Sequence, residues 1–338
     1  MSSMLNPRYS FIVPAYNSGE CIGKCISSIV TQSFSSWELI VVDDGSNDAT
    51  PGIVDGYAKS ESRIRAMHTP HKGVAHARNV GLESARGEYV IFVDSDDWIE
   101  SEYLKQVENC LRDDADINIM GISTDYCAEN GSVYYSEIKG SPSYLYYSSD
   151  EIFDNVGFIL KTMNMESACL KSFRRSFLKE NNIRFLDGMI IFEDFYFVLK
   201  CMCCRPSVSL IPFIGYHYVV PYPYHPLERR GARDLYPSVH NLLEVLDELY
   251  GHLLYDSFSR EVLMQIMADK VCVVIAHTSN LSTLRQKKNS FLQINRDNVV
   301  RKHLDEILRH TGGRYRLEHR CTSAGFPLIA YLLHKYLR

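Results

Sequence analysis

The chain lacks any apolar run of the roughly 20 residues needed to span a bilayer. Its first stretch, MSSMLNPRYSF, lacks the basic-then-apolar pattern of a secretory leader. Positive charge is not in excess: 36 Lys and Arg stand against 41 Asp and Glu, for a net charge of -5. A nucleic-acid partner, whose phosphates demand clustered cations, is therefore disfavoured. No G-x-G-x-x-G follows an early strand and no G-x-x-x-x-G-K-[ST] occurs, so neither a dinucleotide fingerprint nor a P-loop is expected. Ten cysteines are present, but no paired sets at zinc-finger spacing, and Cys21 and Cys25 sit among Ile22, Ile26 and Ile29 as small apolar residues of a helix face. The chain reads as cytoplasmic and reduced.

What is there suits a packed globular chain. Of 338 residues, 46% are hydrophobic and 23% charged, enough for two modest domains or one large one with an appendage. Tyr89–Val93 is an unbroken apolar run of strand length, the pattern of a strand buried on both faces of a parallel sheet. Asp94, Asp96 and Asp97 follow at once. Carboxylates this close repel one another unless something positive sits among them. A hard divalent cation with oxygen ligands would relieve them and could also hold a phosphate. A solvated acidic turn is the plain alternative.

The same punctuation recurs earlier. Tyr9–Val13 is a strand stopped by Pro14, and Trp37–Val42 is another that runs into Asp43, Asp44, Gly45 and Ser46. Arg63–Met67 is a weaker third. Helices are expected from about Ser18 to Gln32, from Ala49 to Lys59 with Asp48 or Ser46 as cap, and from Val74 to Ala85 with a glycine stop at Gly87. Four strand–helix alternations within about a hundred residues predict an α/β fold, a mostly parallel Rossmann-like sheet with helices on both faces. Ligands bind such sheets outside the carboxyl ends of the strands, here Pro14–Tyr16, Asp43–Asp44, His68–Gly73 and Asp94–Asp97.

The succession SFIVPAYN, SSIVTQSFSSWELIVVDDGSNDAT and HKGVAHARNVGLESARGEYVIFVDSDDW resembles the nucleotide-sugar domain of glycosyltransferase family 2 over residues 9 to 105. The resemblance implies a GT-A fold, a nucleotide-diphosphate sugar donor (a UDP-sugar as first choice) and inversion at the anomeric centre. Residue by residue, it implies that Pro14, Ala15 and Tyr16 touch base and ribose. Asp44 would hydrogen-bond the base while Asp43 supports the turn, and Lys72, Gly73 and Arg78 would line the diphosphate side. Asp94, with Ser95 beside it, would meet the ribose or a metal, and Asp96 would ligate Mn2+ or Mg2+ directly. Plain alternatives stay open: Tyr16 as a core aromatic, Arg78 as a helix-surface charge, Asp43 as a turn cap.

Further on, Glu102–Leu111 reads as a helix and Ile117–Ile122 as a strand, and residues 123–150 as a loop with a small hairpin overhanging the rim. Ser167–Phe185 resembles the family's segment that precedes its catalytic acidic pair, and its Arg174, Arg175 and Lys179 are equally explained as an exposed helix face. Glu193 and Asp194 open a helix, where first-turn carboxylates are favoured by the dipole. The resemblance instead makes them the catalytic acidic pair, with Asp194 as general base. Val208–Ile211 and Phe213–Val220 read as two strands, with Val219 where relatives often carry arginine. His217 is either a further metal ligand or a hydrogen-bonded core histidine, and His225 lies in a proline-rich loop that is a lid or a connector. From Asp234 the chain reads as helices.

The expected division is a catalytic domain over 1–222, with a nucleotide-sugar half at 8–105 and an acceptor half at 106–222, followed by a helical region over 223–338. The expected partners are a nucleotide-sugar donor and a glycan or lipid-linked acceptor. A peripheral contact of GFPLIAYLLHKYLR with the inner face of the membrane, and pairing as a homodimer, stay open. So do two rival functions, a sugar nucleotidyltransferase and a non-catalytic nucleotide-sugar-binding protein.

Overall fold

The computed structural model describes residues 6–110, 115–128, 131–221, 235–253, 256–277, 289, 292–294 and 296–310. The expected roles of His225 and of the C-terminal segment 325–338 lie outside these residues.

The first half alternates as the sequence predicts: β1 (Tyr9–Ala15), α1 (Ile22–Val30), β2 (Trp37–Asp43), α2 (Thr50–Ser60), β3 (Ile64–His68), α3 (Val74–Ser84) and β4 (Tyr89–Phe92). Then come β5 (Trp98–Ile99), α4 (Tyr103–Cys110), β6 (Ile117–Cys127), β7 (Val133–Lys139), β8 (Leu145–Tyr147) and α5 (Ile152–Thr162). These are followed by β9 (Lys171–Arg174), α6 (Arg175–Glu180), α7 (Glu193–Cys203) and β10 (Val208–Pro221). Last are α8 (Tyr236–His252), α9 (Ser257–His277), α10 (Asn298–Lys302) and α11 (Leu304–His310).

One sheet runs β3-β2-β1-β4-β9-β6-β10-β5, with β7 paired to β6 and β8 to β10. From β3 to β4 every pairing is parallel, and β6 and β10 continue in that direction; β9 is wedged between β4 and β6 in reverse, and β5, β7 and β8 also pair antiparallel at the far side. The chain leaves β1 toward β2 and β3, then returns to build β4 on the other side, so the carboxyl ends of β1 and β4 form a topological switch point where a crevice must open.

Every residue of β1 and β2 is buried, which is why these strands carry near-continuous apolar runs rather than alternation. Each buried Val, Ile, Leu or Phe contributes about 1.5–3 kcal/mol relative to exposure. Helix α1 buries Ile22, Cys25, Ile26 and Ile29 on one face, so Cys25 serves as a small apolar residue. Helix α3 lies unusually close to the sheet: a Cβ on Gly81 would come within 2.3 Å of Ile12 Cγ2. Arg78, one turn earlier on the same face, is thereby drawn into the interior and is 3% exposed.

Several expectations need correction. Helix α1 begins at Ile22, because Ser18 O first accepts the amides of Cys21 and Ile22 in a turn. The N-cap of α2 is Ala49. Asp48 instead ties the Thr50 amide (2.9 Å) to the Gly19 amide (2.9 Å), and Ser46 Oγ accepts the Asn17 amide (2.9 Å). The two strands expected around Pro212 are one strand, β10, kept continuous by register shifts between Leu210 and Tyr216 that absorb the missing amide. Arg174 does not lie on an exposed helix face: it closes β9 with its guanidinium over the Tyr89 ring, and Arg175 Nε donates to Gly87 O at 2.6 Å. The expected hairpin exists as β6 and β7, with β7 exposed along its whole length. No described helix is long and apolar enough to cross a membrane.

Candidate active site

A cleft of about 460 Å³ opens at the switch point. Pro14, Ala15 and Tyr16 from the end of β1, Asp44, Arg78, Asp94, Ser95 and Asp96 all line it, so eight of the sequence-expected residues meet there. Tyr16 is not a core aromatic. Its ring is 45% exposed and stacks on His71 with centroids 4.1 Å apart and planes at 21°. That pair offers a flat apolar face of the kind a nucleobase stacks on.

The loop after β3 is fastened by carboxylates from the end of β2. Asp44 accepts the amides of Lys72 (2.9 Å) and Gly73 (2.8 Å), and His71 Nδ1 lies 2.9 Å from its Oδ2. Gly73 adopts φ 99°, a conformation that costs other residues strain, and so turns its amide to Asp44 as it leads into α3. Lys72 and Gly73 meet Asp44 through their backbone amides and are absent from the cleft lining. Asp43 is likewise a support. Its Oδ1 accepts the Ser46 amide at 3.2 Å and its Oδ2 lies 3.0 Å from His68 Nδ1, a contact that raises the pKa of His68.

The DSDD turn holds four residues with four different surroundings. Asp94 Oδ1 accepts Arg78 Nη2 at 2.7 Å. Ser95 Oγ shares a hydrogen bond with Ser18 Oγ at 2.8 Å. Asp96 is exposed at the cleft lip. Asp97 is buried, accepting Tyr216 Oη at 2.5 Å and the Val219 amide at 2.9 Å. Burial, and then the repulsion of Asp94 and Asp96, push the Asp97 carboxyl well above its ordinary range. Val219, standing where an arginine was expected, contributes this amide instead.

Arg78 is the node of the site. Nη2 pairs with Asp94, while Nη1 donates to Glu193 Oε1 at 3.1 Å and to Asp194 Oδ1. Its Nε is buried without a hydrogen-bond partner, leaving one donor unsatisfied in a cluster of three carboxylates. The surface-charge alternative for Arg78 is overturned by this burial. Glu193 and Asp194 open α7, whose N-cap Phe192 sits at φ 63°, a left-handed conformation that costs a bulky side chain about 1–2 kcal/mol. Asp194 Oδ2 accepts the Ala168 amide at 3.1 Å. Burial raises the Asp194 pKa to about 7, against the lowering effect of Arg78 and with Glu193 and Asp94 adding to the rise.

His217 is spoken for: Nδ1 lies 2.7 Å from Asp125 Oδ2, Nε2 lies 3.0 Å from Glu100 Oε1, and its ring stacks on Trp98 at 3.7 Å. It buttresses the strand after the DSDD turn, and the structure favours the hydrogen-bonded reading over a metal ligand. Among the described residues no three His, Cys, Asp or Glu side chains converge as a ready-made metal cage. The cleft does present Asp94 and Asp96, an oxygen-only donor pair that suits a hard divalent ion completing its shell with water and phosphate. Sequence reasoning missed His71, Ser18 and the Ala168 amide. Of these only His71 left a trace, as a polar aromatic in a loop at a strand's carboxyl end.

A family model described as glycosyl transferase family 2 matches residues 10–181, half of the chain. The chain belongs to glycosyl transferase family 2. Membership sets aside the nucleotidyltransferase alternative. Among curated members, EpsH of Bacillus subtilis strain 168 is 31% identical over 217 residues, covering 64% of this chain and 61% of that protein. The poly(ribitol-phosphate) beta-N-acetylglucosaminyltransferase TarS of Staphylococcus aureus is 30% identical over 214 residues, 62% of this chain and 35% of TarS. These matches span less than two thirds of either relative. The crystal structure of TarS 1-349 in complex with UDP aligns over 98% of this chain and 91% of its own, with TM-score 0.65 at 21% identity. A mannosyltransferase of Pyrobaculum calidifontis, solved with GDP-Man and Mn2+, aligns over 99% and 89% with TM-score 0.51 at 17% identity. At such identities the likeness is one of fold, and it is the GT-A fold.

Proposed function

We propose that the chain is an inverting glycosyltransferase that moves a sugar from a nucleotide-diphosphate donor, a UDP-sugar as first choice, to a hydroxyl of a glycan or lipid-linked acceptor in polysaccharide or glycoconjugate synthesis. The observation that carries this reading is the single guanidinium of Arg78, which touches Asp94 in the donor cleft and Asp194 outside it. This supports a reading in which donor phosphates and base lie on either side of one side chain. TarS, solved with UDP, supplies the choice of nucleotide.

In this reading the base lies on the Tyr16–His71 face and the diphosphate runs past Arg78 toward Asp94 and Asp96. A divalent ion held by Asp96 and Asp94 would neutralise the diphosphate and stabilise charge on the departing nucleotide. Asp194 accepts the proton of the acceptor hydroxyl as that oxygen attacks the anomeric carbon from the face opposite the nucleotide. A carboxylate with pKa about 7 is matched to this work: basic enough to take the proton, yet ionised in a useful fraction at neutral pH. Residues 1–222 would be the catalytic unit and the helices beyond it a support, working at the cytoplasmic face where lipid-linked acceptors are met.

A thermal-shift panel of UDP, GDP, dTDP and CMP, each with and without Mn2+, tests the donor site, because a ligand of the folded state raises apparent stability with its concentration over Kd. Manganese-dependent stabilisation by UDP supports the reading. Silence toward every nucleotide, with and without metal, contradicts it and favours a non-catalytic relative.

A further inference from the structure

We propose that Lys171 and Lys270 are positioning residues for Asp194, clamping between them the 163–168 loop whose Ala168 amide donates to the Asp194 carboxylate. This rests on the reading of Asp194 as the base.

The loop joins α5 to β9. Lys171, in β9, is wholly buried, and its Nζ donates to Asn164 O and to Ser167 O, both at 2.6 Å. An ammonium without water is costly, and burial pushes this one down to about 7. An apolar side chain would fill the same volume without that cost. What lysine adds is two donors that pin both ends of the turn preceding Ala168. β9 cannot drift, being paired on one side to β4 and on the other to β6, with Lys171 beside Ile119.

The second hold comes from the C-terminal helices. Lys270 of α9 is 6% exposed, and its Nζ lies 2.9 Å from Glu166 Oε1 in the middle of the loop. The same ammonium sits 4.4 Å from the centroid of Phe192 and 5.5 Å from that of Phe195. Phe192 is the left-handed residue from which α7, and so Asp194, departs. One cation thus fixes the loop that donates to Asp194 and the backbone that carries it. Nearby, Ser238 Oγ of α8 accepts the Ile190 amide at 2.9 Å, a further tie from the helical region to the approach to α7.

The groups acting electrostatically on Asp194 are Arg78 from α3, Asp94 from the DSDD turn, Glu193 beside it, Cys169 from the stretch leading into β9 and Lys171 at the start of β9. Loss of the Ala168 hydrogen bond from the ionised form raises the Asp194 midpoint. The test is a pH titration of the aspartate side-chain carboxyls by carbon-13 NMR in the full chain, with the Asp194 signal assigned by its loss in Asp194→Asn. Lys171→Met, Lys270→Met and Glu166→Gln should each raise the midpoint, by about one unit where the hydrogen bond is lost outright. Lys270→Arg should return it to the wild-type position. Glu166→Gln is the discriminating arm, since removing an anion would by charge alone lower the midpoint. An unchanged midpoint in Lys171→Met and Lys270→Met, or a lowered one in Glu166→Gln, overturns the proposal. If Lys171→Met does not fold, Lys270→Met and Glu166→Gln decide. Turnover of Asp194→Asn reports separately on whether Asp194 is the base, so the clamp and the catalytic reading fail independently.

Discussion

Arg78 and Asp194 form a buried ion pair joining α3 to the first turn of α7, across 116 positions of sequence. Removing the cation would strand Asp94, Glu193 and Asp194 together. Breaking one side of a buried charge cluster typically costs about 3–5 kcal/mol. Arg78→Met should therefore lower the denaturant midpoint clearly and abolish turnover. Arg78→Lys should restore part of the stability and little of the activity, because a single ammonium cannot bridge carboxylates on two sides. Denaturant melts with nucleotide-release assays on both variants check this.

The turn that carries Asp94 and Asp96 hangs from Asp97. Tyr216→Phe removes a hydrogen bond to a buried carboxyl and should cost about 1–3 kcal/mol. Because Asp96 itself is exposed, Asp96→Ala should leave the melting temperature nearly unchanged while erasing any manganese-dependent response to UDP. Differential scanning fluorimetry separates the two variants.

Tyr16 and His71 are half-exposed and stack on each other rather than in the core. Tyr16→Ala should weaken UDP binding by about 1–3 kcal/mol, the range found for aromatic–base stacking, with little effect on folding. Calorimetric titration of UDP into the variant reads this directly.

Lys171 makes a prediction about pH. Its folded pKa, about 7, lies below the unfolded value, so between about pH 7 and 10 the unfolded chain binds more protons and the contribution of this group to stability rises with pH. Below pH 7 the buried charge costs most. The stability gap between Lys171→Met and the parent should therefore shift in favour of the parent as pH rises from 7 to 10, measured by denaturant melts at each pH.

The alternation of β1 to β4 with their helices was legible because buried parallel strands announce themselves as apolar runs and their carboxyl ends as clusters of Asp, Gly and Pro. Eight cleft residues followed from that placement and from the family resemblance. β9 was not legible: Lys171 and Arg174 give KSFR the look of a helix surface, and only tertiary wedging between β4 and β6 makes it a strand. Arg78 was placed at the cleft by the resemblance alone. On a helix its charge reads as solvated, and nothing local reveals that Gly81 lets that face sink onto Ile12 and bring the guanidinium to Asp94 and Asp194. His217 was legible as a histidine among tyrosines, but its partners Glu100 and Asp125 come from two other elements.

The most direct test is release of UDP from a panel of UDP-sugars by the parent and by Asp194→Asn, with UDP-induced stabilisation measured alongside. If Asp194 is the base, the variant should release nucleotide at least about 100-fold more slowly while UDP still raises its melting temperature as in the parent. Release at the parental rate by a variant that binds UDP normally would contradict the account.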